Sequence, residues 1–261
     1  MKRLPVAKHR GICKNAEEDR KGDGKKMLAI LMAGGIGSRM GAYSDRPKCL
    51  WPVGGMPLIE RTVRMLLENN CRVGIVTGYK EELLHEALRD YTVEWYHNPF
   101  FRVTNSIGSL WFAREALTGE EDVILANADV YWDQTLLDML LRSEEQATML
   151  GDATRTLTGD YFFKTKDGYL VNYGKDLPES ERTCEYVGAA KIRSDFVNGF
   201  RYRMDRMVRN EEYKIWWENV LYEHCWEYPV YVQDVEGEFW GEIDCLEDYN
   251  RIAEHVSVLK Q

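Results

Sequence analysis

Apolar and polar positions along the chain alternate between two periods. Met27-Leu28-Ala29-Ile30-Leu31-Met32 is an uninterrupted apolar run of strand length, which predicts a buried strand. Residues 58–70 repeat apolar positions at helical spacing, Arg72–Thr77 predicts a second buried strand and Glu81–Arg89 a second helix. Val93–Tyr96 follows as a strand, residues 105–117 as a helix, and Val123–Ala126 as a strand ending in Asn127-Ala128-Asp129-Val130. Strands and helices alternating at this spacing predict a mostly parallel sheet covered on both faces. Such sheets bind ligands at the carboxyl ends of their strands.

The pattern changes near residue 150. Tyr161–Lys164 and Tyr169–Val171, joined through Lys166-Asp167-Gly168, predict a β-hairpin. Glu185–Ile192 predicts a strand, residues 194–209 a helix, 213–226 an aromatic-rich helix, Tyr228–Val235 a strand and 246–258 a closing helix. No second core is evident. The expected organisation is a flexible, charge-rich extension over 1–26, then one domain over 27–261. About 27–150 forms its nucleotide-binding half and about 151–261 its acceptor-binding half.

Between the first strand and first helix lies Ala33-Gly34-Gly35-Ile36-Gly37-Ser38-Arg39, followed by Pro47-Lys48. Glycines at this density let backbone amides approach a ligand closely. Arg39 and Lys48 add positive charge suited to a polyphosphate. It is neither a Walker A loop nor a dinucleotide fingerprint, whose third glycine would fall on Met40. The net charge of −9 argues against a nucleic-acid surface, so positive charge must be gathered locally. The six cysteines, Cys13, Cys49, Cys71, Cys184, Cys225 and Cys245, show no metal-type spacing and read as reduced thiols of a cytoplasmic protein. No apolar run is long enough for a membrane span. Two acidic residues stand out: Asp129 ends a predicted buried strand, and Asp244, in Trp240-Gly241-Glu242-Ile243-Asp244-Cys245-Leu246-Glu247-Asp248-Tyr249, sits between a strand and the last helix. Each is either a helix cap or half of a magnesium site of the one-or-two-carboxylate kind.

The L-x-A-G-G-x-G-S-R loop with its downstream P-K resembles the signature of sugar-nucleotide and choline-phosphate nucleotidyltransferases. Val76-Thr77-Gly78-Tyr79, Tyr96–Phe100, Asn105-Ser106-Ile107-Gly108-Ser109-Leu110, Ala126–Val130 and Glu242–Tyr249 extend the resemblance to the bacterial CTP:phosphocholine cytidylyltransferases, over about residues 27–258. The resemblance implies a Rossmann-like three-layer α/β sandwich of the nucleotide-diphospho-sugar transferase type. It implies that Ala33, Gly34, Gly35, Gly37, Ser38, Arg39, Lys48, Asn105 and Ser106 bind the nucleotide, with Arg39 and Lys48 catalytic. It also implies Mg²⁺ on Asp129 and Asp244; Asn127 stands where relatives often carry Asp. The expected reaction moves CMP from CTP to phosphocholine, ethanolamine phosphate or 2-aminoethylphosphonate and releases pyrophosphate. Aromatic faces attract ammonium groups, which makes Trp132, Tyr186 and Trp217, with Glu185 and Glu218 as counter-charge, the candidate acceptor contacts. Glu185-Tyr186-Val187-Gly188 also resembles relatives acting on sugar or inositol phosphates, which keeps that alternative open.

Overall fold

The computed structural model describes residues 27–37 and 45–259. The 1–26 extension, Ser38 and Arg39 lie outside the described residues. In chain order the strands and helices are β1 Met27–Met32, β2 Pro52–Val53, β3 Met56–Pro57, α1 Leu58–Glu68, β4 Cys71–Thr77, α2 Glu81–Ala87, β5 Glu94–His97, α3 Ser106–Phe112, β6 Asp122–Asn127 and β7 Val130–Tyr131. There follow α4 Gln134–Arg142, β8 Ala147–Asp152, β9 Phe162–Lys166, β10 Tyr169–Gly174, β11 Cys184–Ile192, α5 Ser194–Arg209, α6 Asn219–Tyr222, β12 Tyr231–Asp234, β13 Gly241–Glu242 and α7 Leu246–Val258.

Among the described residues, nine strands form one sheet in the order β5-β4-β1-β6-β11-β8-β12-β10-β9. From β5 to β6 every pairing is parallel. Beyond β6 the pattern breaks: β11 runs antiparallel to both β6 and β8, and only β12–β8 is parallel again. The mostly parallel expectation therefore holds for one half, and the sheet as a whole is mixed. β11 is the strand that reverses direction, for it pairs antiparallel with β6, β8 and β9 alike.

Strand β1 is buried on both faces, and its alternate side chains enter separate cores. Leu28 and Ile30 meet Ile107 and Leu110 of α3 and Phe200 and Met204 of α5. Ala29 and Leu31 meet Ile59 and Val63 of α1, Leu84 of α2 and Leu136 and Leu140 of α4. Helices thus cover both faces, and the strand ends are left to make the site. The helix expected over 213–226 reduces to α6, because Tyr213 and Ile215 give their carbonyls to the amides of Asn105 and Ile107 instead of to a helical ladder. Among the described residues no helix is long and apolar enough to cross a membrane. Cys49, Cys71, Cys184, Cys225 and Cys245 are free thiols.

Candidate functional site

A cavity of about 950 Å³ opens along the carboxyl ends of β1 and β6 and runs on toward β11. One wall carries Gly34, Gly35, Gly37, Asn105 and Ser106. The middle carries Lys48, Asp129, Glu242 and Asp244, and the far wall Glu185, Tyr186, Trp216 and Glu218.

The glycine wall depends on absent side chains. Gly37 has φ +68°, and a Cβ there would lie 3.0 Å from the Lys48 side-chain stem. Lys48 follows Pro47 and begins a single 3-10 turn whose next residues, Cys49 and Leu50, are buried and anchor it. Its Nζ donates to Asp129 Oδ2 at 3.2 Å and to Asp244 Oδ1 at 2.6 Å. Asp129 and Asp244 are far apart in sequence, and the β7–β13 ladder brings them together: Glu242 pairs with Val130, and the Ile243 amide donates to the Asp129 carbonyl at 2.9 Å. Neither aspartate caps a helix. Asp133 caps α4, and Asp248 accepts from the Asp244 and Cys245 amides at the start of α7. The Lys48, Asp129 and Asp244 side chains are 12%, 23% and 15% exposed, so the cluster is largely shielded yet reachable. Burial works against the Lys48 charge, but the two aspartates outweigh it and hold its pKa above the ordinary lysine value. The Glu242 pKa is also raised, well above the ordinary carboxylate value, by burial first and then by Asp129 and Asp244.

Among the described residues no three His, Cys, Asp or Glu side chains meet at a metal-binding spacing. The donor set is instead two carboxylates converging on one cation. That fits Mg²⁺ with a triphosphate, since this metal takes one or two protein carboxylates and leaves its other positions to phosphate and water.

On the far wall the expectations separate. Glu218 is buried, and burial raises its pKa to about 7. It accepts from Asn127 Nδ2 at 3.2 Å and faces the hydroxyl of Tyr186. Glu185 lines the cavity but is tied to the chain: its Oε1 accepts from the Asp160 amide at 3.0 Å, and Arg155 lies 3.7 Å from Oε2. Trp132 and Trp217 do not reach the cavity. They are 1% and 0% exposed and belong to the two main cores. The rings that do line it include Tyr186, Tyr161, Tyr222 and Trp216, with Tyr161 stacked on Tyr222 at 5.1 Å and edge-on to Trp216 at 5.3 Å. Tyr161 was hidden in a predicted hairpin. Glu242 had a visible signal, for Glu242 and Asp244 lie two apart and a strand puts such residues on one face. Asn105 and Ser106 line the cavity, and both also hold the 213–217 segment.

A glycine-walled groove at the ends of parallel strands, with two carboxylates and a lysine at its centre, defines a nucleotidyltransferase of the nucleotide-diphospho-sugar transferase fold. Residues 29–160 match the MobA-like NTP transferase domain, and the chain belongs to that family. It is 25% identical over 246 residues to the choline-phosphate cytidylyltransferase of Streptococcus pneumoniae, covering 87% of this chain and 97% of that one. It is 25% identical over 233 residues to the 2-aminoethylphosphonate cytidylyltransferase of Lancefieldella rimae, covering 85% and 90%. The solved structure of the Streptococcus pneumoniae CTP:phosphocholine cytidylyltransferase superposes with a TM-score of 0.72 at 22% identity over 88% of this chain and 99% of that one, a likeness of fold.

Proposed function

We propose that this chain transfers CMP from CTP to a small phosphorylated or phosphonylated amino-alcohol and releases pyrophosphate. One observation carries the acceptor class: a buried carboxylate, Glu218, beside Tyr161, Tyr186 and Tyr222 in the cavity wall opposite the glycine residues. A buried carboxylate is expensive unless a cation answers it. Aromatic faces add about 0.5–2 kcal/mol for an ammonium group. Choline phosphate, ethanolamine phosphate and 2-aminoethylphosphonate all present such a head group, and the named relatives act on acceptors of this kind.

In this reading the glycine wall, with Ala33, Asn105 and Ser106, receives the nucleotide. Asp129 and Asp244 would hold Mg²⁺, which would supply charge neutralisation at the phosphates. Lys48 turns from the aspartates to the triphosphate, a movement its flexible stem allows. Arg39 and Ser38 are assigned to the phosphates by resemblance. A phosphate oxygen of the acceptor attacks the α-phosphorus in line, the bond to the β-phosphate bridge oxygen breaks, and pyrophosphate carries away the electron pair. The attacking oxygen is already ionised at neutral pH, so the protein has to position charges and needs no general base. Residues 27–150 supply the nucleotide side and 151–259 most of the acceptor side of one domain.

Pyrophosphate release from CTP is the direct assay, run with phosphocholine, ethanolamine phosphate, 2-aminoethylphosphonate, inositol phosphate and sugar 1-phosphates. Turnover of an ammonium-bearing acceptor is expected. Faster turnover of a sugar or inositol phosphate would replace this acceptor class, and no pyrophosphate with any of them would end the reading.

A further inference from the structure

The two substrate walls are joined by one run of hydrogen bonds. The irregular segment before α6 lies against the start of α3. The Asn105 amide donates to the Tyr213 carbonyl at 2.8 Å and the Ile107 amide to the Ile215 carbonyl at 3.4 Å. Asn105 Nδ2 reaches the Lys214 carbonyl at 3.4 Å, and the Trp217 amide donates to Ser106 Oγ at 3.0 Å. The path continues through side chains. Trp217 Nε1 donates to Asn127 Oδ1 at 3.0 Å, and Asn127 Nδ2 donates to Glu218 Oε1 at 3.2 Å.

Donor chemistry fixes the direction of each link. An indole N–H can only donate, so the Asn127 carboxamide turns its oxygen to Trp217 and its NH₂ to Glu218. A hydroxyl that accepts from a backbone amide keeps its own proton to give elsewhere. Ser106 lines the cavity on the nucleotide side, where that proton can meet a ligand oxygen.

We propose that Ser106 is a positioning residue that couples the two substrate sites: a nucleotide oxygen accepting from its hydroxyl fixes the segment carrying Trp216 and Glu218, and so assembles the acceptor's cation anchor. This rests on the reading of Glu218 as that anchor. Coupling of this kind is reciprocal in binding, so each ligand strengthens the other.

Choline and ethanolamine without their phosphate are the probes, because neither can reach the nucleotide directly. Their binding to the full chain is followed by tryptophan fluorescence and calorimetry, with and without the non-reacting α,β-methylene analogue of CTP. The analogue is expected to tighten probe binding about five- to tenfold. Ser106→Ala is expected to lose that enhancement while still binding the analogue, and Ser106→Thr to restore it. Trp217→Phe, which removes the link to Asn127, is expected to weaken the probe even without nucleotide. Enhancement absent from the wild type, or persisting in Ser106→Ala, would overturn the coupling. The anchor is tested separately by Glu218→Gln: if neither probe binds the wild type, or if this variant binds them equally well, the reading of Glu218 falls and takes the coupling with it. Loss of binding in Glu218→Gln together with surviving enhancement in Ser106→Ala would sink the coupling alone.

Discussion

The nucleotide wall and the acceptor wall of the cavity reach their shapes by opposite means. Most of the nucleotide wall is local in sequence: a buried parallel strand stops and the backbone is left bare at Gly34, Gly35 and Gly37, with Asn105 and Ser106 added from the start of α3 and Lys48 beside it at the cavity's centre. The acceptor wall is assembled from afar, with Tyr161 just ahead of β9, Tyr186 on β11, and Trp216 and Glu218 from the segment before α6. A local wall suits a ligand part common to many enzymes, the triphosphate. A wall built from dispersed side chains can change its acceptor without disturbing the phosphate site. The metal-type pair Asp129 and Asp244 lies on the seam between the two.

That seam should be the most sensitive point. Asp129→Asn is expected to lower turnover by roughly 10³-fold, since metal-assisted charge stabilisation is worth several kcal/mol. Circular dichroism should show the fold retained, because Asp129 caps no helix. Activity within tenfold of wild type would detach Asp129 from the chemistry and leave the two walls without a shared centre. Removing Mg²⁺ with a chelator should abolish the wild-type rate, and added Mg²⁺ should restore it.

Lys48→Met keeps most of the stem and removes the charge. A loss of about 10²–10³ in kcat is expected, the usual cost of one preorganised charge-stabilising donor. The KM for the acceptor should move far less than kcat. A change confined to acceptor KM would place Lys48 on the wrong wall.

Glu218→Gln should do the reverse, raising acceptor KM about 10- to 100-fold, as for a charged hydrogen bond worth about 1.5–3 kcal/mol, with CTP KM unchanged. Acidification offers a milder version. Burial raises the Glu218 pKa to about 7, so the free side chain is mostly protonated at pH 6 and mostly ionised at pH 8. A cationic head group binds the ionised form. Affinity for choline or ethanolamine should therefore rise roughly tenfold between pH 6 and pH 8, and Glu218→Gln should flatten that profile. Folding runs the opposite way: because the folded-state pKa is raised, the contribution of Glu218 to stability is fully present below its unfolded pKa and is lost as pH climbs through about 7.

How much of this was legible follows the same division. The run Met27–Met32, the glycines after it, Lys48, Asp129 after its strand and Asp244 ahead of the last helix could be read directly, because each is a local pattern with a local physical meaning. The β7–β13 ladder that joins the aspartates has strands of only two residues each and leaves almost no period to detect. Strand β8 and helix α4 lie between readable elements and were not anticipated. The 213–226 segment has helical composition, yet its carbonyls go to Asn105 and Ile107. No local propensity announces such a partner.

Trp132 gives the smallest expected effect and separates core from cage. An aromatic residue after a strand end looks the same in sequence whether it stacks on ligand or fills the interior. Here Trp132 packs with Leu136, Leu140 and Val187, and its Nε1 is buried with no hydrogen-bond partner among the described residues. Trp132→Phe loses some packing but also removes a donor whose desolvation is uncompensated, a penalty of about 1–3 kcal/mol. The two effects oppose, and a net stability change within about 1 kcal/mol is expected by denaturant unfolding. Acceptor KM should stay within about twofold, because Trp132 is buried in the core and does not line the cavity. A large rise in acceptor KM with stability intact would put Trp132 in the cage and redraw the boundary between the two walls.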